Sequence, residues 1–298
     1  MFVASPSYNS APNVRRRAPV PGDLQPDLNF YGANGGGGQP PREFDAAIFD
    51  LDGVITQTAA VHSLAWKRMF DGFLRTAGRA GPGREFTHAH DYLTYVDGRP
   101  RYQGVESFLK SRGIELPFGT PDDSPDRETI CGLGNRKNVY FLHIIESEGI
   151  AVYDSTIALI HNLRAHGIRI GLATSSRNSA VVLNRTGTAQ LFATVVDGLV
   201  LERLGLKGKP EPDIFTTAAR NLGVDCGRAI VIEDAVSGVQ AGARGGFGLV
   251  IGVARENNEA ELRENGADLV VRDLADTRLD EIARLVRARR NGPQKPIP

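Results

Sequence analysis

Ala46-Ala47-Ile48-Phe49-Asp50-Leu51-Asp52-Gly53 places four apolar residues directly before two carboxylates and a turn glycine. A short, unbroken apolar run is the pattern of a strand buried on both faces, which is the usual situation in a parallel sheet. In open α/β sheets, ligands bind outside the carboxyl ends of the strands, so charged groups at that end have a natural use. Similar runs recur at Ile168–Ala173, Thr194–Val196, Ala229–Ile232 and Gly248–Val253, with a weaker sixth at Leu269–Val271. Helical patterns such as Ser155–His166 and Asp213–Leu222 lie between most of them. The alternation predicts an α/β fold with an open parallel sheet covered on both faces.

Upstream of Phe44 the character changes. Residues 1–43 are rich in Pro, Gly, Asn and Ser and include Gly35-Gly36-Gly37-Gly38. Such a segment buries too little apolar surface to offset its ordering entropy, which predicts a disordered arm. Downstream of the first strand, residues 60–150 lack strand signals. They read as helices over Val61–Thr76, Gln103–Arg112 and Arg136–Glu148, separated by glycine and proline breaks at 81–83, 98–100 and 117–125. The expected layout is a core domain of residues 44–59 and 151–280, a helical domain inserted over 60–150, and a charged tail over 281–298.

Composition narrows the function class. Of 298 residues, 41% are apolar and 23% charged, ordinary for a globular chain. Lys plus Arg and Asp plus Glu number 35 each, so no net field draws nucleic acid or an anionic membrane, and neither is expected as a partner. Two cysteines, Cys131 and Cys226, exclude a disulfide scaffold and read as reduced core thiols. No apolar run reaches the ~18 residues of a membrane span, and no apolar segment follows Arg15-Arg16-Arg17 as in a secretory signal. A cytoplasmic, monomeric enzyme is the expectation.

Four strand ends carry polar groups suited to one task. Asp50 and Asp52, two residues apart, could serve as nucleophile and general acid/base. Thr174-Ser175-Ser176 offers hydroxyls and backbone N–H groups to a phosphoryl oxygen. Lys209, in Lys209-Pro210-Glu211-Pro212, could balance negative charge, and Glu233-Asp234 with Asp50 could supply the hard oxygens Mg²⁺ prefers. Taken singly, each is also an ordinary capped turn or solvated loop. Their joint occurrence in this order is what points to phosphoryl transfer.

With these residues in place, the chain from Phe44 to about Leu274 resembles the haloacid dehalogenase superfamily, and within it the β-phosphoglucomutase-like branch. Asp50-Leu51-Asp52-Gly53-Val54-Ile55-Thr56 is similar to the first family motif, Thr174 to the second, Lys209 to the third and Glu233-Asp234 to the fourth. The resemblance implies a doubly wound core with a helical cap inserted after the first strand. It implies that Asp50 becomes an aspartyl phosphate while Asp52 shuttles protons. It also implies that Mg²⁺ sits on Asp50, the Asp52 carbonyl and Asp234, with Glu233 beside it, and that Thr174 and Lys209 hold the transferring group.

The cap should then read the substrate. Thr58, His62, Trp66 and Lys67 resemble a pattern of the β-phosphoglucomutase-like branch, and His62 and Trp66, four apart on a helix, share a face. Gly98-Arg99-Pro100-Arg101 is similar to a cap loop whose arginine clamps a distal phosphate, with Arg101 the better match, and Arg suits that role. Arg136-Lys137-Asn138 is similar to the family's Arg-Lys-Asn, which implies that Lys137 faces the same phosphate or a sugar hydroxyl, and Ser175, Ser176, Arg177 and Asn178 match substrate-contacting core positions. Gln57 and Ala235 depart from the usual Asp and Ser, and the cap over 77–135 is longer than usual. The implied activity interconverts β-glucose 1-phosphate and glucose 6-phosphate through a bisphosphate. The rival is a sugar-phosphate or small phosphomonoester phosphatase sharing the same core residues.

Overall fold

The computed structural model describes residues 42–76, 78 and 85–291. The expected disorder of the arm therefore lies outside the described residues except at Arg42 and Glu43, and the break at 81–83 lies outside them altogether. Arg42 and Glu43 belong to the ordered chain: Arg42 donates to the Gly167 carbonyl at 2.5 Å, and Glu43 pairs with Arg287 and Arg290 at 2.7 and 2.6 Å.

Six strands form one sheet: β1 (Ala46–Phe49), β2 (Arg169–Ala173), β3 (Thr194–Val196), β4 (Ala229–Glu233), β5 (Leu249–Val253) and β6 (Leu269–Val271). Their order is β3-β2-β1-β4-β5-β6 and every pairing is parallel, with Ala46 opposite both Arg169 and Ala229. The two-residue side-chain period assigns alternate residues to opposite faces. Ala47, Phe49, Ile230, Ile232, Leu249 and Ile251 enter one buried cluster, whereas Ala46, Ile48, Ala229, Val231 and Val250 enter the other. Burial on both faces explains why β1 shows an apolar run rather than alternation. The fold is the doubly wound α/β sheet expected.

Between β1 and β2 lies a helical insertion: α1 (Ala59–Thr76), a π-helical segment (His88–Val96), α2 (Arg101–Ser111) and α3 (Ile130–Glu148). It has its own cluster of Trp66, Phe70, Phe73, Phe86, Phe108 and their neighbours, while Phe141, Ile144 and Ile145 of α3 join the main core. Its two ends leave the core side by side. Gln57 N–H donates to Ala151 O and Tyr153 N–H to Ile55 O, each at 2.9 Å.

The remaining helices cover the sheet: α4 (Asp154–Ala165), α5 (Ser179–Thr186), α6 (Gly198–Leu204), α7 (Asp213–Asn221), α8 (Val236–Arg244), α9 (Glu259–Glu264) and α10 (Leu279–Asn291). Two expectations need correction. First, α3 begins six residues before Arg136, because the Thr129 hydroxyl caps it by accepting from Gly132 N–H at 2.9 Å. Second, the charged tail is a helix up to Asn291, since α10 buries Ile282 and Val286, four residues apart on one face, against the main core. Residues 292–298 lie outside the described residues.

Candidate active site

The ladder of β1 continues one residue beyond the strand, where Asp50 N–H donates to Ile232 O at 3.0 Å. This sets Asp50 at the carboxyl edge, beside the end of β4. The chain then turns at Gly53, whose φ of +82° is left-handed and suits glycine. A Cβ there would lie 1.7 Å from Asp234 Oδ2, so glycine is what lets the two loops approach. Lys209 reaches the same point from the loop before α7. Its Nζ lies 2.5 Å from Asp50 Oδ1 and 2.5 Å from Glu233 Oε1, with the side chain only 1% exposed.

Glu233 stands beside Asp50 at this end and shares Lys209 with it. Its other oxygen accepts from Ala235 N–H at 2.7 Å, so both oxygens have protein partners and the side chain anchors the Lys209 ammonium. After β2, the Thr174 hydroxyl is buried and accepts from Ser176 N–H at 3.1 Å, and the Ser176 hydroxyl accepts from Asn178 N–H at 3.2 Å. Ser175 faces the insertion and donates to Gly98 O at 2.9 Å.

Charge in this half of the site is out of balance. Burial, with Asp50 and Glu233 overriding it, leaves Lys209 firmly a cation above its usual range. Asp50 shares that one ammonium with Glu233. Burial, eased by Lys209 and worsened by Glu233 and Asp52, pushes its carboxyl up to about 8. Asp234 is pushed up well beyond its ordinary value by burial, then by Glu233, Asp97 and Asp50. The neighbourhood lacks positive charge.

The other half of the site comes from the insertion. Thr58 donates a short hydrogen bond to Asp52 Oδ1. His62 Nε2 lies 3.2 Å from the same oxygen, near enough for attraction although not aligned as a hydrogen bond. Burial works against Asp52, but His62, Thr58 and Lys137 outweigh it and hold the carboxyl below its ordinary value. Lys137 Nζ stands 2.6 Å from His62 Nδ1 and over the rings of Phe141 and Trp66 at 4.8 and 5.1 Å. A lysine donating to Nδ1 leaves the proton on Nε2, facing Asp52. Burial and then Lys137 depress His62, while burial and then Arg101 depress Lys137 well below its usual range. Arg101, brought down to about 10 chiefly by burial, donates to Asn138 Oδ1 at 2.9 Å. The same oxygen accepts from Asn178 Nδ2 at 2.7 Å, tying insertion to core.

Every site residue nominated from the sequence lines this one cavity, from Asp50, Asp52, Thr174 and Lys209 through Glu233 and Asp234 to His62, Trp66, Arg101, Lys137, Ser175, Ser176 and Asn178. Arg99 lines it as well as Arg101. Lys67 turns away, pairing with Asp71 at 2.8 Å. Three lining residues escaped the sequence reading: Tyr92, Val96, and Asp97, which burial and then Glu233 push up to about 7. Asp97 directly precedes the Gly98–Arg101 stretch already singled out, but an Asp at a loop start carries no mark of where it points.

A divalent cation fits the acidic end. Among the described residues no three Asp, Glu, His or Cys side chains form a self-contained metal cluster. Asp50 and Asp234 offer two carboxylates here, and Mg²⁺ characteristically takes one or two carboxylates and completes its shell with phosphate and water. The excess of buried carboxylates over Lys209 is the structural reason a dication suits this place.

Comparisons with known proteins agree with this geometry. Residues 44–246 match the haloacid dehalogenase-like hydrolase family. A β-phosphoglucomutase of Mycobacterium bovis is 44% identical over 244 residues, covering 79% of this chain and 92% of the relative. One from Bacillus subtilis is 32% identical over 235 residues, with 79% and 92% covered. The solved β-phosphoglucomutase of Clostridium difficile superposes with a TM-score of 0.65 at 25% identity, covering 82% of this chain and 97% of that one.

Proposed function

The chain belongs to the haloacid dehalogenase-like hydrolase family, in its β-phosphoglucomutase-like branch, and from that premise we propose a Mg²⁺-dependent phosphosugar mutase. Family and relatives make it a phosphoryl-transfer enzyme of mutase or hydrolase type. The mutase reading rests on one observation: Arg101, Lys137 and His62 of the insertion face the core carboxylates across a single cavity. A phosphatase needs the core end alone; a second basic wall led by the Arg101 guanidinium is what a substrate that comes to carry a second phosphate requires.

In the proposed cycle, phosphorylated Asp50 meets β-glucose 1-phosphate. Asp52, kept ionised by His62, Thr58 and Lys137, takes the proton of the free C6 hydroxyl as that oxygen attacks phosphorus. The Asp50–phosphorus bond breaks and β-glucose 1,6-bisphosphate forms. After the bisphosphate turns over, the Asp50 carboxylate attacks the C1 phosphate and Asp52 returns its proton to the departing C1 oxygen. Glucose 6-phosphate leaves and Asp50 is phosphorylated again. Lys209 and the Thr174 hydroxyl steady the transferring group, while Arg101, Lys137, Ser176 and Asn178 hold the idle phosphate. Mg²⁺, held by Asp50, Asp234 and the Asp52 carbonyl, would neutralise charge on the phosphoryl oxygens. The insertion, with buried Trp66 in its wall, keeps water from the aspartyl phosphate.

The test supplies Mg²⁺, β-glucose 1-phosphate and a trace of β-glucose 1,6-bisphosphate and follows glucose 6-phosphate and free phosphate together. Rapid glucose 6-phosphate with little free phosphate, absent in Asp50→Ala, supports the mutase. Free phosphate as the main product replaces it with the phosphatase.

A further inference from the structure

The cycle above leaves one charged group of the cavity without a task. Asp97 lines the wall from the loop between the His88–Val96 segment and α2. Its backbone is fixed on both sides: Asp97 N–H donates to Tyr92 O at 2.9 Å, and the neighbouring Gly98 O accepts from Ser175 at 2.9 Å. The loop is pressed onto the core, since a Cβ on Gly98 would stand 2.4 Å from Ser237 Oγ and 3.0 Å from the Cβ of Ala235. The Tyr92 side chain, only 5% exposed, lines the same wall of the cavity. Among the described residues Asp97 forms no ion pair with a lysine or arginine; Lys209 acts on it only at a distance, and Glu233 and Glu256 repel it.

An unpaired carboxylate is the wrong group for a phosphate dianion, and both phosphate positions already have cations, Lys209 at one end and Arg101 with Lys137 at the other. What remains between two phosphates of a sugar is a ring of hydroxyls. A carboxylate is an acceptor for about four hydrogen bonds, which leaves room for two O–H donors. A buried group that reads a hydroxyl also rejects the analogue lacking it, because the acceptor is then left bare.

We propose that Asp97, held in place by Tyr92, accepts hydrogen bonds from two neighbouring hydroxyls of the substrate's sugar ring and is a specificity-determining residue of the insertion. The assignment rests on the phosphosugar reading above.

The experiment compares wild type with Asp97→Asn and Asp97→Ala, each as the full chain with Mg²⁺. Turnover is followed on β-glucose 1-phosphate and its 2-deoxy, 3-deoxy and 4-deoxy analogues. Phosphorylation of Asp50 by acetyl phosphate, which has no hydroxyl, is measured alongside. The expected result is that wild type loses about 10-fold or more in kcat/KM on two adjacent deoxy analogues, as for hydrogen bonds to a charged group. Asp97→Ala should lose at least ~10-fold on the parent sugar beyond any loss with acetyl phosphate, and little more on those same analogues. Equal sensitivity of wild type and variants to every hydroxyl deletion overturns the assignment while leaving the mutase standing. So does an equal loss with acetyl phosphate accompanied by weaker Mg²⁺ binding in calorimetry, which would move Asp97 to the metal's side. Absence of sugar turnover by wild type, with Asp50 still phosphorylated by acetyl phosphate, overturns the phosphosugar reading and this one with it.

Discussion

Lys209 and Lys137 are both buried in the wall of one cavity, yet their surroundings differ. Lys209, from the sheet, lies between two carboxylates at 2.5 Å and is held above its usual range despite burial. Lys137, from the insertion, is 3% exposed, stands against an imidazole and near Arg101, and is driven well below its range. The core carries its own counter-charges and is short only of a dication. The insertion gathers positive groups around a negative charge that the protein does not supply. That contrast separates a region built for chemistry from one built for recognition.

The largest effect should come from the core. Asp50→Ala removes the proposed nucleophile, and turnover should fall at least ~10⁴-fold on the sugar phosphate and on acetyl phosphate alike. More than about 1% residual phosphorylation with acetyl phosphate would break the division of labour, because another group would then be accepting phosphate.

The next effect should be selective. Arg101→Ala should lower kcat/KM for β-glucose 1-phosphate about 100-fold more than the rate of Asp50 phosphorylation by acetyl phosphate, in keeping with loss of a charge-assisted phosphate contact. Equal losses with both substrates would show that the insertion acts on the chemistry itself. Between the regions, Gly98→Ala puts a Cβ 2.4 Å from Ser237 Oγ at a φ of +65°, so the loop can no longer seat. A kcat loss of ~10-fold is expected, with a rising share of free phosphate as water enters.

The smallest effect is in stability. The folded protein keeps protons on Asp50 up to about 8 and on Asp97 up to about 7, whereas an unfolded chain releases them near its ordinary 3.8. Over that interval the folded state binds more protons, so stability declines as pH rises. Below 6.5, His62, kept neutral by burial, works in the opposite sense. Across the window from 6.5 to 8, Lys137, driven well below its usual range, opposes this trend, but Asp50 and Asp234 together outweigh it. Melting with EDTA should show Tm falling across that interval, at ~2–4 °C per kcal/mol, and Mg²⁺ should flatten the slope. A metal-free Tm that rises over this window would remove the idea of an acidic end awaiting a cation.

The core was easy to read because its signals are local. Each strand is a short apolar run and each motif follows directly on its end, so residues 46–53, 169–176 and 229–234 declare both structure and chemistry. The insertion was harder where packing overrides local pattern. Gly132 and Gly134, poor helix formers by propensity, lie in the first turns of α3 ahead of Arg136. They are there for contact: a Cβ at Gly132 would lie 2.3 Å from Arg127 O, and one at Gly134 2.8 Å from the Tyr102 ring. In α10 the stripe of Ile282 and Val286 is diluted by six arginines and acids around it, and it becomes visible only against the sheet it covers. Asp97 shows the deeper limit. Its backbone is held by the Tyr92 carbonyl and by the Gly98–Ser175 bond, and the second of these spans 77 residues, beyond any sequence window.

The paired bonds Gln57–Ala151 and Tyr153–Ile55 bring both ends of the insertion to one seam on the core. Seen from the sheet, everything between residues 57 and 151 is a single long loop with adjacent feet. Loop-closure entropy rises by only ~0.6 kcal/mol for each doubling of length, so the sheet is nearly indifferent to how much chain is inserted there. Descent with modification at this seam is therefore inexpensive. A lineage can lengthen, trim or exchange the whole lid in one genetic event while the inherited aspartates keep working, and new substrates can arise without reinventing the reaction.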